Sequence, residues 1–218
     1  MPIRSVYFYF GLAVMVIAVG LGLRALVFNQ APVVVTGKAV DRGSTGVPDI
    51  GGKFSLIDHN GRPVSEGDFL GRHMLVFFGY TNCPDVCPMT LSNLSEALDK
   101  LGGDAGKIRP VFVSVDPLRD TPGVLKAYLE SFHPAFIGLT GSAKQVAAVK
   151  RVFRIYSEAR HEDGQHAEPA GDSAKNLRDY TVDHSSITYL MGPDGKFKTF
   201  VSHGTGADAI AAKLKKHL

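Results

Sequence analysis

The chain has 218 residues, of which 44% are hydrophobic and 21% are charged. These proportions are ordinary for a globular protein and argue against a disordered, collagen-like or multi-pass membrane chain. The formal net charge is +3, and Arg4 and Arg24 lie in the first 30 residues, where there are no acidic residues. The rest of the chain is therefore close to neutral, which argues against a nucleic-acid partner.

The N-terminal segment has the properties of a membrane span. The 19 residues from Ser5 to Leu23 carry no charged side chain, and as a helix they would extend roughly 28 Å, enough to cross a bilayer. Tyr7 and Tyr9 are placed as interfacial aromatic residues, and Arg24 can reach the headgroups at the other end. A cleaved signal peptide is the alternative, but no A-x-A site follows the apolar segment.

These features predict three parts: a transmembrane anchor over residues 1–28, a linker over residues 29–47 and a folded domain over residues 48–218. The charges that flank the span are nearly matched, but a short N-terminal tail before a single span favours export of the domain. We predict a single-pass protein of the inner membrane, with its domain in the periplasm or the intermembrane space. A thiol pair in such an oxidising compartment must be kept reduced or bound to metal.

The folded domain begins with a predicted β-hairpin, because Asn60-Gly61 is a strong turn signal between Phe54 and Val64. The apolar segment His73–Gly79 predicts a strand buried on both faces. Leucines at helical spacing then predict a helix that ends at Gly102-Gly103. The remaining predicted elements are a strand at Val111–Val115, helices capped by Thr121 and Ser142, a strand around Phe136–Leu139, a hairpin over Ser186–Val201 and a helix at Ala207–His217.

The order of these elements is similar to that of the thioredoxin superfamily, with two cysteines at the first long strand-to-helix junction. We therefore predict an α/β, thioredoxin-like fold with an N-terminal β-hairpin and an inserted loop, preceded by one transmembrane helix. The inserted loop is Ser157–Val182, which has no apolar periodicity and is rich in Glu, Asp, Gly, Ala and His. This composition predicts an exposed excursion from the domain.

The two cysteines, Cys83 and Cys87, directly follow the predicted buried strand. Because Pro88 does not fit deep inside a helix, we expect the helix to begin here, with both thiols in or just before its first turn. A helix N-terminus favours the thiolate, which attacks disulfides and binds metals, and the spacing does not separate these roles. The alternatives are buried packing thiols or an inert disulfide, and a structural zinc site, which needs four ligands.

His184, just before the apolar segment Ile187–Met191, is a third candidate. A lone histidine at the edge of a loop is more often a surface residue. In thioredoxin-like proteins, however, the loop before this strand faces the cysteines, and redox members usually carry a cis-proline there. No proline occurs between Pro169 and Pro193, and His184 stands in the corresponding place. Two thiolates and an imidazole suit Cu(I) and, with another donor, Cu(II).

Three motifs, in this order, resemble the Sco/SenC family. They are FGYTNCPDVCP at residues 78–88, VSVDPLRDTP at residues 113–122, and Asp183-His184-Ser185 followed by Tyr189-Leu190. The resemblance covers about residues 48–218. It implies a membrane-anchored copper metallochaperone that binds one copper, as Cu(I) or Cu(II), through Cys83, Cys87 and His184. It also implies a partner, cytochrome c oxidase subunit II, whose copper A centre such proteins help to assemble.

Other polar residues near these motifs are weaker candidates. Asp116 matches the aspartate of the family's VDP motif, which the resemblance implies is functional near the copper site; a turn or cap residue is the alternative. Asp85 is explained by a helix start alone. Asp183 is a candidate acceptor for the ring of the next residue, although a solvated loop acid is the favoured interpretation. His161 and His166, in the predicted excursion, have no fixed geometry for scavenging copper.

Two other functions use the same residues. A thiol:disulfide oxidoreductase that reduces the acceptor's cysteines would have Cys83 and Cys87 as its catalytic pair, and a redox or copper sensor is also compatible with the sequence. The sequence does not decide whether the protein is an enzyme. His184 in the place of the proline favours metal binding. A peroxidase is disfavoured, because Thr81 and Asn82 do not supply the Thr-x-x-Cys pattern of peroxiredoxins.

Overall fold

The computed structural model of the chain describes residues 48–161 and 180–218, together with Met15, and excludes the side chain of His161. The chain divides into two compact units, Met1–Thr45 and Gly46–Leu218. In the described residues, no helix is both long enough and apolar enough to cross a bilayer. The predicted anchor and linker, apart from Met15, lie outside the described residues.

A seven-stranded mixed sheet forms the centre of the described domain. The described residues form nine strands in all, two of which, β6 and β7, lie outside this sheet. In chain order the strands are β1 Ser55–Asp58, β2 Pro63–Ser65, β3 His73–Gly79, β4 Ile108–Ser114, β5 Ile137–Thr140, β6 Ser157–His161, β7 Tyr180–His184, β8 Ile187–Met191 and β9 Phe197–Ser202. The large sheet has the order β2-β1-β5-β4-β3-β8-β9. Strands β3, β4 and β5 are parallel, and the other neighbours are antiparallel. Both predicted hairpins are therefore confirmed.

Four α-helices accompany these strands in the described part of the chain: α1 Val86–Leu101, α2 Pro122–Leu129, α3 Ala143–Val152 and α4 Ala207–Lys215. Short 3₁₀ helices occupy Glu66–Phe69 and Gly102–Lys107. The predicted caps are confirmed. Thr121 accepts from the amide of Val124, and Ser142 accepts from the amide of Gln145, whose side chain bonds back to the Ser142 amide. These bonds satisfy amides that a helix start leaves free.

The hydrophobic core lies on both sides of β3, in which every residue is buried. Phe77, Phe78 and Phe112 are fully buried, and the buried leucines of α1 belong to the same cluster. Burial of each such side chain contributes about 1.5–3 kcal/mol. The junction between β3 and α1, where the cysteines lie, is thus connected at both ends to the most deeply buried elements of the domain.

The segment Ser157–Val182, predicted to be an exposed excursion, has β-structure at both ends, so that prediction was wrong there. Strands β6 and β7 pair with each other in a separate two-stranded antiparallel sheet, and Val182 is buried. The sequence of β6, SEARH, has no apolar alternation that would predict a strand. The strand is formed by backbone pairing with β7, and Arg160 also makes an ion pair with Asp183. Residues 162–179 lie outside the described part.

Candidate metal centre

The two cysteines occupy the connection between β3 and α1. Cys83 precedes the helix and is half-buried, whereas Cys87 lies in the first turn and is fully buried. The amide of Cys87 donates to the sulfur of Cys83 over 3.4 Å. Asp85 is the N-cap residue, but its side chain makes no capping hydrogen bond. The free amide end of α1 is therefore used by the Cys83 sulfur, in agreement with the predicted position of the thiols at the helix start.

Gly79, the last residue of β3, makes room for the buried thiol. A Cβ atom at this position would lie 2.7 Å from Cys87 Sγ and 2.8 Å from a ring carbon of Phe112. Contacts this short force neighbouring atoms to move. The absence of a side chain at position 79 therefore allows the sulfur of Cys87 to pack against the end of the strand.

The third side chain, His184, lies at the end of β7. Its Nε2 is 3.4 Å from Cys87 Sγ, and its Nδ1 is 3.2 Å from the carbonyl oxygen of Ser185. Because a carbonyl can only accept, this contact requires a proton on Nδ1. Nε2 is then the ring nitrogen that faces the sulfurs and is available to bind a metal. The ring also lies edge-on to Tyr80, with 5.8 Å between centroids.

The two thiols have opposite pKa shifts because they share a hydrogen bond. The pKa of Cys83 lies well below its ordinary value, chiefly because the Cys87 thiol donates to its sulfur; hydrogen bonds with His184 and the nearby amides also lower it, against the effect of burial. That same shared hydrogen bond, together with burial, raises the pKa of Cys87. The pair therefore favours one thiolate, on Cys83. A metal ion that binds both sulfurs must displace the proton of Cys87.

The ligand atoms of Cys83, Cys87 and His184 all lie within 4.8 Å of one another. Over residues 48–161 and 180–218, no other group of three or more His, Cys, Asp or Glu comes together in this way. Two sulfurs and one imidazole nitrogen form a soft donor set, of the kind that suits copper, and Cu(I) in particular. The donor chemistry thus matches the metal that the sequence motifs predict.

Asp116 is buried but does not belong to this group of three. Its carboxylate pairs with Arg119 and accepts from the hydroxyl of Tyr180 over 2.7 Å, while its amide donates to Ser114 Oγ. The carboxylate is thus bound to a side chain of β7 and to an arginine of its own loop. Asp116 supports the structure around the site.

The remaining candidates are not brought to the sulfurs. Asp183 is more than half exposed and forms an ion pair with Arg160 at 2.9 Å, which agrees with a solvated acid and leaves the His184 ring to the carbonyl of Ser185. His161 lies in β6, and its side chain lies outside the description. His166 lies outside the described residues altogether.

Sequence reasoning missed a buried acid, Asp120, which holds the loop before Cys83. Its carboxylate accepts from the amide and hydroxyl of Thr81, at 3.1 and 2.6 Å, and from the hydroxyl of Ser114 at 2.6 Å. Burial raises the pKa of Asp120, and these hydrogen bonds oppose that shift. Both Thr81 and Asp120 belong to recognised motifs, but the sequence contains no signal that joins positions 39 residues apart.

Comparison with known proteins assigns residues 42–218 to a family described as SCO1/SenC. The mitochondrial SCO2 homolog of Bos taurus is 39% identical over 169 residues, covering 77% of this chain and 59% of that protein. Protein sco1 of Schizosaccharomyces pombe is 40% identical over 169 residues, covering 77% of this chain and 60% of that protein. The chain thus spans about three-fifths of the length of these curated relatives.

Two solved structures with copper bound are similar to this chain. Bradyrhizobium japonicum ScoI is 41% identical with a TM-score of 0.66, covering 78% of this chain and 99% of that one. Yeast Sco1 with copper bound is 35% identical with a TM-score of 0.68, covering 78% of this chain and 88% of that one. These similarities confirm the predicted mixed α/β, thioredoxin-like fold of the domain. Together with the family match, they show that the chain belongs to the SCO1/SenC family.

Proposed function

We propose that this protein is a copper metallochaperone that binds one copper through Cys83, Cys87 and His184. The observation that carries the proposal is the convergence of their three ligand atoms within 4.8 Å. Residues 83 and 87 come from one loop and helix, whereas His184 comes from a separate strand nearly 100 residues away. The copper bound in ScoI and in yeast Sco1, which share 41% and 35% of their residues with this chain, supports the same choice of metal.

The exposure of the three side chains supports a role in delivery. Cys87 is buried, whereas Cys83 and His184 are each half-buried. A thiolate of an acceptor protein can approach from the side of Cys83 and His184 and replace them one at a time, while Cys87 is the last to release the metal. We propose that the acceptor is the copper A domain of cytochrome c oxidase subunit II, as the family resemblance implies.

We place this transfer at the inner membrane, with residues 1–28 as a single-pass anchor and the domain in the periplasm or the intermembrane space. The apolar segment from Ser5 to Leu23 supports the anchor. Relatives named as mitochondrial proteins are consistent with the intermembrane-space alternative. Protease treatment of spheroplasts or mitoplasts should cleave the domain from its outer side; protection until the inner membrane is lysed would contradict this orientation.

The test of function uses the full-length chain and a purified copper A domain. We expect one copper per chain, and transfer that is read from the absorption of the assembled copper A centre. Replacement of either cysteine should abolish both. His133→Ala is a matched control, because His133 lies on another part of the domain, near Asp99. Copper binding by a chain that lacks both cysteines would contradict the proposal.

A second function, reduction of the acceptor's cysteines, is favoured by the unequal thiols. Cys83 is half-buried with a lowered pKa, and Cys87 is buried beside it. In this step the Cys83 thiolate attacks an acceptor disulfide and expels one acceptor thiolate. Cys87 then loses its proton, attacks the mixed disulfide and expels the second thiolate. Two electrons pass to the acceptor, and the pair becomes a disulfide. Reductase activity that survives in His184→Ala, without copper binding, would separate this function from delivery.

A further inference from the structure

Strand β7, which carries His184, lies outside the sheet that leads to the cysteines. It pairs with β6 in the two-stranded sheet, and two of its main-chain groups are bonded by side chains of the main body. The amide of Val182 donates to Tyr80 Oη over 3.3 Å, and Arg119 Nη1 donates to the carbonyl of Tyr180 over 2.9 Å. Residues two positions apart in a strand direct their main-chain groups to the same side, so the carbonyl of Tyr180 and the amide of Val182 both face the main body. Tyr80 and Arg119 therefore take the place of a neighbouring strand.

Arg119 contacts several groups where β7 is attached to the main body, an attachment that we call the joint. Its Nε pairs with Asp116, and the hydroxyl of Tyr180 donates to the same carboxylate over 2.7 Å. The centre of the guanidinium lies 3.7 Å from the centroid of the Tyr180 ring and 5.6 Å from that of Tyr80. The arginine side chain is only 10% exposed. Its edges are thus hydrogen-bonded while its face stacks on an aromatic ring of β7.

One nitrogen of this guanidinium, Nη2, is buried and has no hydrogen-bond partner among residues 48–161 and 180–218. A buried unsatisfied donor is unfavourable, so a positive charge alone does not explain an arginine at this position. Only the planar guanidinium can bind a carboxylate at one edge and a carbonyl at another while it stacks on a ring. The orientation that leaves Nη2 unsatisfied is therefore the same orientation in which the guanidinium holds β7.

We propose that Arg119 is a positioning residue for the metal centre: it sets the place of β7 so that His184 reaches the two sulfurs. Arg119 is connected to His184 in two ways: along β7 from Tyr180, and through the ring of Tyr80. The Tyr80 ring lies beside the guanidinium of Arg119 and edge-on to the ring of His184, with 5.8 Å between centroids and 86° between planes. The role toward the metal rests on the proposed copper function, whereas the placement of the strand does not.

The first measurement needs no metal and follows hydrogen exchange in the full-length apoprotein. In Arg119→Ala and Arg119→Lys, the amides of Tyr180–His184 should exchange at least about tenfold faster, because loss of the joint opens the strand locally. Arg109→Ala is the matched control, since Arg109 donates to the carbonyl of Asp68 at the opposite end of the parallel strands. Exchange of Tyr180–His184 at the wild-type rate in a folded Arg119→Lys chain would overturn the proposal.

The second measurement adds copper to the same proteins. With both thiols free, Arg119→Lys and Arg119→Ala should bind copper roughly 10- to 100-fold more weakly, and the nitrogen coupling from His184 in the Cu(II) spectrum should diminish. Restoration of wild-type affinity and coupling by lysine would show that charge alone suffices, and would overturn the proposal. If Arg119→Ala does not fold, Arg119→Lys decides. If the wild-type chain binds no copper, the proposed function fails while hydrogen exchange still decides the role of Arg119.

Discussion

The two halves of the candidate metal centre are held in different ways. Cys83 and Cys87 follow β3, whose every residue is buried and which lies between β4 and β8 in the main sheet. His184 follows β7, which pairs with β6 in a sheet of its own and is joined to the body through Tyr80 and Arg119. The sulfurs thus have a position set by the hydrophobic core, whereas β7 adds only Val182 and the partly buried Tyr180 to that core and is also held by polar contacts.

Because of this difference, we expect mutations to affect the stability of the domain and its affinity for metal to different extents. A change near the cysteines disturbs core packing and the site together, because Cys87 and Gly79 are in contact with both. A change to the polar contacts of β7 should alter the position of the third ligand while the core around β3 stays intact. Local opening of a weakly attached strand costs less than global unfolding. Mutations on the two sides should therefore give different combinations of stability loss and copper loss.

The largest effect is expected from the cysteines. Cys83→Ala and Cys87→Ala should each abolish stoichiometric copper binding, because one thiolate and one imidazole do not hold a soft ion tightly. Only Cys87→Ala should also lower the free energy of unfolding, since Cys87 is fully buried and Cys83 is not. Copper competition and urea unfolding measure the two effects. Equal stability losses in both variants would contradict the unequal burial.

His184→Ala should weaken copper binding by at least about 2 kcal/mol, or ~30-fold, because the imidazole that faces the sulfurs is lost. The free energy of unfolding should stay close to that of the wild type, since the side chain is half-buried at the end of a strand. The same competition assay measures this change, with His133→Ala as the control. Unchanged affinity would show that the metal is held without the third ligand.

Gly79→Ala should lower the free energy of unfolding by about 1–3 kcal/mol, because its Cβ would overlap Cys87 Sγ and the Phe112 ring. Copper affinity should fall in parallel as Cys87 is displaced. Gly103→Ala is the control, since a Cβ there meets no atom within 4 Å. Urea unfolding of both variants gives the comparison; equal stability in the two would show that the end of β3 accommodates a methyl group.

Tyr80→Phe should produce the smallest change. It leaves the amide of Val182 without its acceptor and should cost about 1 kcal/mol of stability, with faster hydrogen exchange at Val182. Tyr189→Phe, which removes the hydroxyl of a buried tyrosine in β8, is the control. The effect on copper affinity should be smaller than that of Arg119→Lys. A loss of copper binding as large as that of His184→Ala would mean that Tyr80, and not Arg119, determines the position of β7.

Sequence reasoning succeeded where signals are local. The Asn60-Gly61 turn, the apolar strand at residues 73–79 and the caps at Thr121 and Ser142 each predicted an element that the structure contains. The cysteines were placed correctly at the start of a helix because the proline and the buried strand flank them. The grouping with His184 came from the position of the cis-proline in related folds and from the family motifs, since no local pattern connects the residues.

What was missed depends on contacts between distant segments. The bond of Arg119 to Tyr180 spans 61 residues, and that of Thr81 to Asp120 spans 39. No periodicity encodes such pairs. Strand β6 was missed for a related reason: its polar sequence is β only because β7 supplies the hydrogen bonds. In physical terms, the sequence predicts where chains turn and what is buried, but not which polar side chains meet.

The register of the small hairpin has an evolutionary consequence. His184 lies opposite Ser157, whereas His161 lies opposite Tyr180, so the connection between the strands leaves from the end remote from the metal ligand. The two ends of β7 are four residue steps apart, a distance of about 13 Å at 3.3 Å per residue. We therefore expect insertions and deletions between residues 162 and 179 to be tolerated by the metal centre.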